Sequence, residues 1–87
     1  EEEMTGAARF YEVRVSGLGR DFLAEIERCF DRISAMPEAG QLIYGKFRRR
    51  LVMRFPYSVV YELLPNAILV VAIAHQSQRP GYWRQRS

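Results

Sequence analysis

The sequence has little cysteine and little histidine. Cys29 and His75 are the single members of their kinds. One cysteine forms no internal disulfide, whereas small secreted domains usually rely on several. One cysteine and one histidine also cannot make a usual zinc site, which takes four protein ligands. We therefore expect a protein of a reducing compartment that holds no metal.

Long apolar runs and cofactor-binding motifs are also missing. The longest apolar run, residues 67–74, is far too short to cross a membrane as a helix. The acidic start of the chain, Glu1-Glu2-Glu3, is unlike a secretory signal. Gly17-Leu18-Gly19 lacks the third glycine of a dinucleotide-binding loop, and no serine lies in a nucleophile elbow. These absences predict a cytoplasmic protein with no cofactor and no membrane contact.

Acidic side chains are scarce in the second half of the chain. Residues 1–43 carry five basic and nine acidic side chains, a net charge of −4. Residues 44–87 carry eight basic side chains and a single acidic one, a net charge of +7. Such a division indicates one face that binds polyanions, either nucleic acid or an acidic protein segment. A solvated basic strand that only aids solubility stays as the alternative.

The first half of the chain contains two patterns of helical period. Apolar residues at 4, 7, 8 and 11 predict a first helix, which Gly17-Leu18-Gly19 ends. A clearer apolar stripe predicts a second helix; it consists of Phe22, Leu23, Ile26, Cys29, Phe30, Ile33 and Met36. Glu25 falls outside the stripe, and Pro37 ends the helix. The place of Cys29 within the stripe predicts packing rather than a nucleophilic role.

The second half of the chain changes to the two-residue period of strands. A first strand alternates the apolar Phe47, Leu51, Met53 and Phe55 with the basic Lys46, Arg48, Arg50 and Arg54. The alternation is imperfect, because Arg49 falls on the apolar side and Val52 on the basic side. Residues 57–63 predict a second strand. Residues 68–74 are apolar on both faces, which predicts a central strand covered on both sides.

Three strands with short connections favour an antiparallel meander with the amphipathic helix across one face. The basic side of the first strand is then expected to face solvent on the other side of the sheet. Four cations in a row repel one another unless a partner binds them. We therefore predict that Lys46, Arg48, Arg50 and Arg54 bind phosphate or a protein partner, together with Trp83. Trp83 and Tyr82 have an alternative role in covering an open edge of the core.

Several short motifs follow one another from about residue 4 to residue 84. They are Ala8-Arg9-Phe10-Tyr11-Glu12, Gly17-Leu18-Gly19 with Asp21-Phe22-Leu23, Met36-Pro37-Glu38-Ala39-Gly40, Arg48-Arg49-Arg50-Leu51-Val52, Arg54-Phe55-Pro56-Tyr57-Ser58-Val59-Val60-Tyr61, and Val71-Ala72-Ile73-Ala74-His75 with Arg79-Pro80-Gly81-Tyr82-Trp83. In order and spacing they resemble the RelE/ParE toxin superfamily of bacterial type II toxin–antitoxin and plasmid stabilization systems. The resemblance implies one α+β domain over residues 1–87, with an N-terminal helical hairpin packed on a small twisted antiparallel sheet.

The chain departs from the family pattern at its start. The resemblance implies a short apolar strand before the first helix, and this sequence opens at Glu1-Glu2-Glu3 instead. We expect that the usual first strand is missing. A sheet edge left uncovered invites pairing with a second copy or with an antitoxin segment. The sequence therefore predicts a homo-oligomer formed through the exposed sheet edge.

The resemblance implies one of two ways of inhibiting growth, both silenced by a cognate antitoxin. ParE-type members block DNA gyrase by binding, and RelE-type members cut messenger RNA on the ribosome. We expect the gyrase-binding activity, because Lys46 is the only lysine and arginine is a poor general base. Messenger RNA cleavage is the alternative. An inactive family member that serves as an oligomeric binding module is the third possibility.

The catalytic residues of the nuclease alternative lie near the C-terminus. RNA cleavage without a metal needs a base, a cation for the phosphorane charge and an acid. His75 is a candidate acid or base. Arg79 and Tyr82 approximately match the arginine and tyrosine that the family resemblance implies there. A structural role for His75 at a strand end stays open, and nothing in the sequence places Glu62 near it.

Overall fold

The computed structural model of the protein describes residues 2–78 and 81–82. Two helices precede four antiparallel strands, arranged in the sheet order β1-β2-β3-β4. The elements are α1 (Glu2–Arg14), α2 (Leu18–Ala35), a 3-10 helix (Pro37–Ala39), β1 (Gln41–Tyr44), β2 (Phe47–Leu51), β3 (Tyr57–Leu64) and β4 (Ala67–His75). This architecture confirms the predicted α+β fold with a helical hairpin on an antiparallel sheet.

The sheet contains one strand more than the sequence pattern predicts. β1 pairs with β2 along an irregular register that shifts between Leu42 and Tyr44. A strand of only four residues, containing such a shift, shows too little alternation to be recognised. β2 also ends at Leu51 rather than continuing to Phe55, because the backbone turns at Arg54, whose φ is +72°.

The predicted central strand is in fact an edge strand. β4 pairs with β3 on one side, and its other side has no strand partner among the described residues. Leu69 and Val70 are 46% and 41% exposed. The strand covered on both faces is β3, where the four consecutive residues 58–61 are all buried. An apolar run alone does not distinguish these positions, since both strands are rich in valine.

The main core lies between α2 and the sheet. Both helices occupy the predicted ranges, and α2 ends at Ala35, just before Pro37. Its core side chains are Phe22, Ile26, Cys29 and Ile33, packed with Val59, Tyr61 and Ile73. Cys29 is fully buried, which confirms that it packs in the core. Burial raises the pKa of its thiol, against the opposing effect of nearby arginines, so the thiol stays protonated and unreactive.

The stripe on α2 differs from the prediction at three positions. Leu23 and Met36 belong to the apolar pattern but are 40% and 64% exposed. Glu25 falls outside the pattern and is nevertheless buried at 7% exposure. Its Oε2 accepts a hydrogen bond from Arg28 at 2.9 Å. Burial of this carboxylate is tolerated because it is paired.

The turn between α2 and β1 is held by a close approach of Gly40 to Tyr61. The Tyr61 hydroxyl donates a hydrogen bond of 2.7 Å to the Pro37 carbonyl oxygen. A Cβ added at Gly40 would lie 2.1 Å from that hydroxyl oxygen and 2.9 Å from the ring. Glycine is therefore required here for space.

We expect Gly40→Ala to lower the free energy of unfolding by about 2 kcal/mol, since the methyl group displaces a fully buried ring and breaks its hydrogen bond. The matched control is Gly6→Ala. Gly6 lies inside α1, and an added Cβ would meet nothing within 4 Å, so alanine there should stabilise by about 0.5–1 kcal/mol. Urea unfolding measures the free energy of unfolding of both variants. An unchanged free energy of unfolding in Gly40→Ala would contradict the packing described.

The turn between the helices is closed by Glu12. Its carboxylate accepts hydrogen bonds from the backbone N–H of Gly17 at 2.9 Å and of Gly19 at 3.0 Å. These two bonds hold the pKa of Glu12 below the ordinary 4.5 of a glutamate. The ionised form is therefore the one that stabilises the hairpin.

We expect Glu12→Gln to lower the melting temperature at neutral pH. A depressed folded pKa contributes stability that is present above the unfolded pKa and is lost as the pH falls through the folded value. The deficit of the variant should therefore shrink progressively below pH 4.5. Thermal unfolding from neutral to acid pH measures it, and a deficit that stays constant in acid would contradict a role for the charge.

None of the helices in the described part of the chain is long and apolar enough to span a membrane.

Candidate partner-binding site

The register of the sheet divides the side chains of β2 between two faces. Residues paired across antiparallel strands project from the same face. Arg48 pairs with Tyr61 and Arg50 with Val59, and both of these partners belong to the core beneath α2. The intervening residues project from the opposite face; they are Phe47, Arg49 and Leu51.

The prediction that these four cations form a solvent-facing row is therefore wrong. Arg48 and Arg50 lie on the helix-covered face, and so does the buried Val52. Lys46 lies in the turn before β2, and Arg54 lies in the loop after it. The four side chains therefore do not form one row away from the helices. Their role in binding phosphate or a partner stays a prediction.

Three of these four cations contact groups of the same chain. Lys46 Nζ lies 3.2 Å from the Glu62 carboxylate. Arg48 donates hydrogen bonds to the carbonyl oxygens of Glu38 at 2.9 Å and Gly40 at 3.0 Å. Arg54 lies 3.8 Å from Asp21 and 3.7 Å from Glu25. These contacts explain how the fold accommodates the basic strand without an external partner.

The face of the sheet opposite the helices carries a shallow groove, which we call the sheet groove. In the part of the chain that the structure describes, no helix covers this face. The cavity volume is about 440 Å³. The groove is lined by Ile43, Tyr44, Arg49, Leu51, Ser58, Val60, Ala74, His75, Gln76, Gln78, Gly81 and Tyr82. Its floor is a second small core built on the buried Val60 and Ala72.

The described lining of the sheet groove combines apolar and polar side chains with a fixed positive charge. Arg49 is the permanently charged side chain among the described lining residues. Its Nε donates a hydrogen bond of 3.0 Å to Gln41 Oε1, and both side chains are exposed. Leu51 is 56% exposed and Tyr44 is 37% exposed. Exposed apolar side chains around one guanidinium are typical of a protein-binding surface.

Sequence reasoning missed most of this groove. It assigned partner binding to the basic side of β2 and gave no role to Tyr44, Arg49, Leu51 or Ser58. One signal was present, because Arg49 falls on the apolar side of the alternation. A cation among apolar neighbours on one face of a strand indicates that this face meets solvent or a partner.

Of the predicted C-terminal residues, the structure describes His75 and Tyr82, while Arg79 and Trp83 lie outside the described residues. Both described residues border the sheet groove. The His75 ring meets the Tyr57 ring edge to face at 4.9 Å, and Tyr57 packs against the helix-side core. Tyr82 packs against the core of the opposite face. The imidazole is therefore directed away from the floor on which Tyr82 lies.

The geometry of His75 disfavours a role as general base. Its Nδ1 accepts a hydrogen bond from the Ser77 backbone N–H at 2.9 Å and lies 2.8 Å from the Ser77 hydroxyl. A neutral imidazole that accepts at Nδ1 carries its proton on Nε2, so it offers no free lone pair to a substrate. Glu62 pairs with Phe47 at the other end of β3. The catalytic assignments stay predictions.

The described residues contain no group of three or more histidine, cysteine, aspartate or glutamate side chains placed to hold a metal ion. The fold presents a helical hairpin on one face of a small antiparallel sheet and a groove on the other.

Comparison with known families agrees with this architecture. The sequence pattern of the family described as ParE toxin of type II toxin-antitoxin system, parDE, matches residues 1–80. Neither a curated protein nor a solved structure shows significant similarity to the chain. The chain therefore belongs to the ParE toxin family and is the toxin component of a type II toxin–antitoxin system. Membership implies an antitoxin partner and confirms the predicted resemblance.

Proposed function

We propose that this toxin acts in the cytoplasm by binding DNA gyrase through the sheet groove. The observation that supports the proposal is the character of the groove, which combines exposed apolar side chains with the guanidinium of Arg49. Such a surface suits contact with a protein. A nuclease site needs an acid, a base and several cations together, and the described residues offer no such set.

Binding by the cognate antitoxin is expected to hide the same groove. Leu51 and Tyr44 expose apolar area that an antitoxin segment would remove from water at about 25 cal/mol per Å². An antitoxin that occupies this face excludes gyrase by direct competition. Neutralisation then needs no change in the shape of the toxin.

The test is a supercoiling assay with purified gyrase. The purified chain should inhibit supercoiling of relaxed plasmid in proportion to its concentration, and it should bind the gyrase subunits in the absence of DNA. Full supercoiling at a large excess of folded chain would overturn the proposal. The assay contains no RNA, so cleavage of RNA cannot contribute to the result.

Messenger RNA cleavage is the second candidate function. The observation that favours it is that Tyr82 and Arg49 border one groove. Arg49 would stabilise phosphorane charge, and Tyr82 would stack on a base or donate a proton. Incubation with translating ribosomes tests it. Discrete cuts in the message that vanish in Tyr82→Phe would favour cleavage over gyrase binding.

We also propose that the toxin self-associates through the edge of β4. This edge strand of nine residues carries no lysine, arginine, aspartate or glutamate, the charged side chains that usually discourage edge pairing. Two copies would extend the sheet antiparallel through their β4 strands. Sedimentation at micromolar concentration should show a dimer that Val70→Lys converts to a monomer. A monomer for the unmodified chain would count against edge pairing.

A further inference from the structure

One polar side chain in the sheet groove is buried without a hydrogen-bond partner. Ser58 lines the groove and is only 6% exposed. Its hydroxyl makes no side-chain hydrogen bond with the described part of the chain. No side-chain oxygen among the described residues is both sealed from solvent and unpartnered, so this hydroxyl reaches the open groove. Buried polar groups nearly always have a partner, and here the partner can come only from the groove.

The register of the sheet places Ser58 beside the charged residue of the groove. Ser58 pairs with Leu51 across β3 and β2. Arg49 lies two residues before Leu51 on the same face and pairs with Val60. Ser58 and Arg49 are therefore diagonal neighbours, with Cα atoms about 7–8 Å apart. One planar acceptor group, with hydrogen bonds of about 2.8 Å on each side, spans such a distance.

The outer nitrogen atoms of Arg49 are available to a ligand. Its Nε atom donates to Gln41 Oε1 at 3.0 Å, and this contact restricts the positions that the guanidinium can take. The two Nη atoms make no hydrogen bond or ion pair with the residues that the structure describes. A guanidinium binds a carboxylate through two parallel N–H donors. Arg49 and Ser58 can therefore donate to the same acceptor group.

The charge of this part of the groove matches a single negative charge. Arg49 supplies the permanent positive charge of the described lining. Glu62 lies near the other end of β3 and is paired with Lys46, so it does not repel an anion beside Ser58. One guanidinium balances one carboxylate. A phosphate group carries up to two negative charges and is bound best where several cations meet.

The remaining walls of the sheet groove suit a small ring. Ile43, Leu51 and Val60 contribute apolar surface, and Tyr44 and Tyr82 contribute aromatic rings. Aromatic groups pack favourably against both kinds of surface. The volume of about 440 Å³ lies within the range of small-molecule sites. A hydroxyl buried in the groove is also reached more easily by the carboxylate of a small molecule than by a protein backbone.

We propose that the sheet groove contains a site for a small aromatic carboxylate. The carboxylate group accepts hydrogen bonds from Ser58 and Arg49, and the ring packs against the apolar walls. The bound molecule covers part of the surface through which the toxin contacts gyrase, so it relieves gyrase inhibition. This effect on gyrase rests on the function proposed above, whereas binding of the carboxylate does not.

The probe is 4-fluorobenzoate, and fluorine NMR follows its titration with the purified chain. 4-Fluorobenzamide is the matched probe, because it has the same ring and nearly the same shape without the charge. The site variants are Ser58→Ala and Arg49→Gln. Their controls are Ser34→Ala and Arg20→Gln, which lie at exposed positions of α2 away from the groove lining.

The dissociation constant of 4-fluorobenzoate should be about 1 mM, as expected for so small a ligand. It should rise about five-fold in Ser58→Ala and about ten-fold in Arg49→Gln, and change less than about two-fold in the controls. The benzamide should bind at least about five-fold more weakly than the benzoate. Equal binding of both probes, or equal losses in site variants and controls, would overturn the proposal. Tighter binding of adenosine monophosphate at the same residues would overturn it in favour of a nucleotide.

The supercoiling assay separates this proposal from the proposed function. A saturating concentration of 4-fluorobenzoate should restore supercoiling by gyrase in the presence of the toxin, and the same concentration should not affect gyrase alone. Binding of the benzoate without restored supercoiling would support the small-molecule site and contradict the sheet groove as the gyrase surface. Gyrase inhibition by a chain that does not bind the benzoate would overturn the small-molecule site alone.

Discussion

Phe22→Ala is expected to lower the free energy of unfolding by about 4 kcal/mol. Phe22 is fully buried. Its ring lies 5.4 Å from the ring of Tyr11, 5.2 Å from that of Phe55 and 5.0 Å from that of Tyr57. Removing it leaves a cavity at the point where both helices and the β2–β3 loop meet, and it removes three aromatic contacts at once.

Urea unfolding followed by circular dichroism measures the loss. A domain of this size has only about 5–10 kcal/mol of stability, so the variant should be largely unfolded near 37 °C. Leu23→Ala is the control, because Leu23 is the next residue of the same helix and is 40% exposed. We expect it to cost less than about 1.5 kcal/mol. Similar losses for the two variants would contradict the orientation of α2.

Leu51→Glu is expected to raise the concentration of toxin needed for gyrase inhibition at least about thirty-fold, equivalent to about 2 kcal/mol of binding free energy. Leu51 lines the sheet groove and is 56% exposed, so the folded chain tolerates a charge there. In the complex that charge would be buried without a partner other than Arg49, at a large desolvation cost.

The supercoiling assay with purified gyrase measures this effect, and a melting curve confirms that the variant folds. Val13→Glu provides the control. Val13 is 77% exposed on α1, on the outer side of the hairpin and far from the sheet groove. Val13→Glu introduces the same charge as Leu51→Glu and should leave gyrase inhibition unchanged. Inhibition by Leu51→Glu at the concentration that suffices for the unmodified chain would show that gyrase binds elsewhere.

The helices could be predicted from the sequence because a helix carries its pattern locally. The stripe on α2 repeats over 18 residues and ends before a proline, and the glycines at 17 and 19 mark the turn. Glu25 is one of three exceptions, and besides Arg28 of the same helix its carboxylate lies near Arg54, a residue distant in sequence. Contacts of that kind leave no trace in the periodicity of the helix.

The faces of β2 could not be predicted by the same reasoning. The alternation correctly separated Arg48 and Arg50 from Phe47, Arg49 and Leu51. The alternation does not indicate which set lies beneath α2. The apolar set is the one expected to face the core. The structure has the reverse arrangement. The arginines extend beyond the edge of the helix, where Arg48 reaches the carbonyl oxygens before β1. Their long apolar stems make such a position possible.

One residue in the sequence did carry the correct information. Val52 falls on the basic side of the alternation and is buried at 4% exposure in the main core. An apolar β-branched residue among arginines indicates that their side of the strand reaches the core. The sheet groove on the opposite face follows from that single assignment. When the faces of β2 are exchanged, the sequence pattern gives the residues of this groove no role.

We propose that this ParE family member inhibits growth through gyrase. The most direct test is tightly controlled expression of the chain in bacteria, with plasmid supercoiling and messenger RNA integrity followed as growth changes. We predict growth arrest with loss of negative supercoiling, DNA damage signalling and intact messages. Arrest with cleaved messages and normal supercoiling would contradict gyrase as the target. Unimpeded growth with soluble protein present would contradict any toxic activity of this chain.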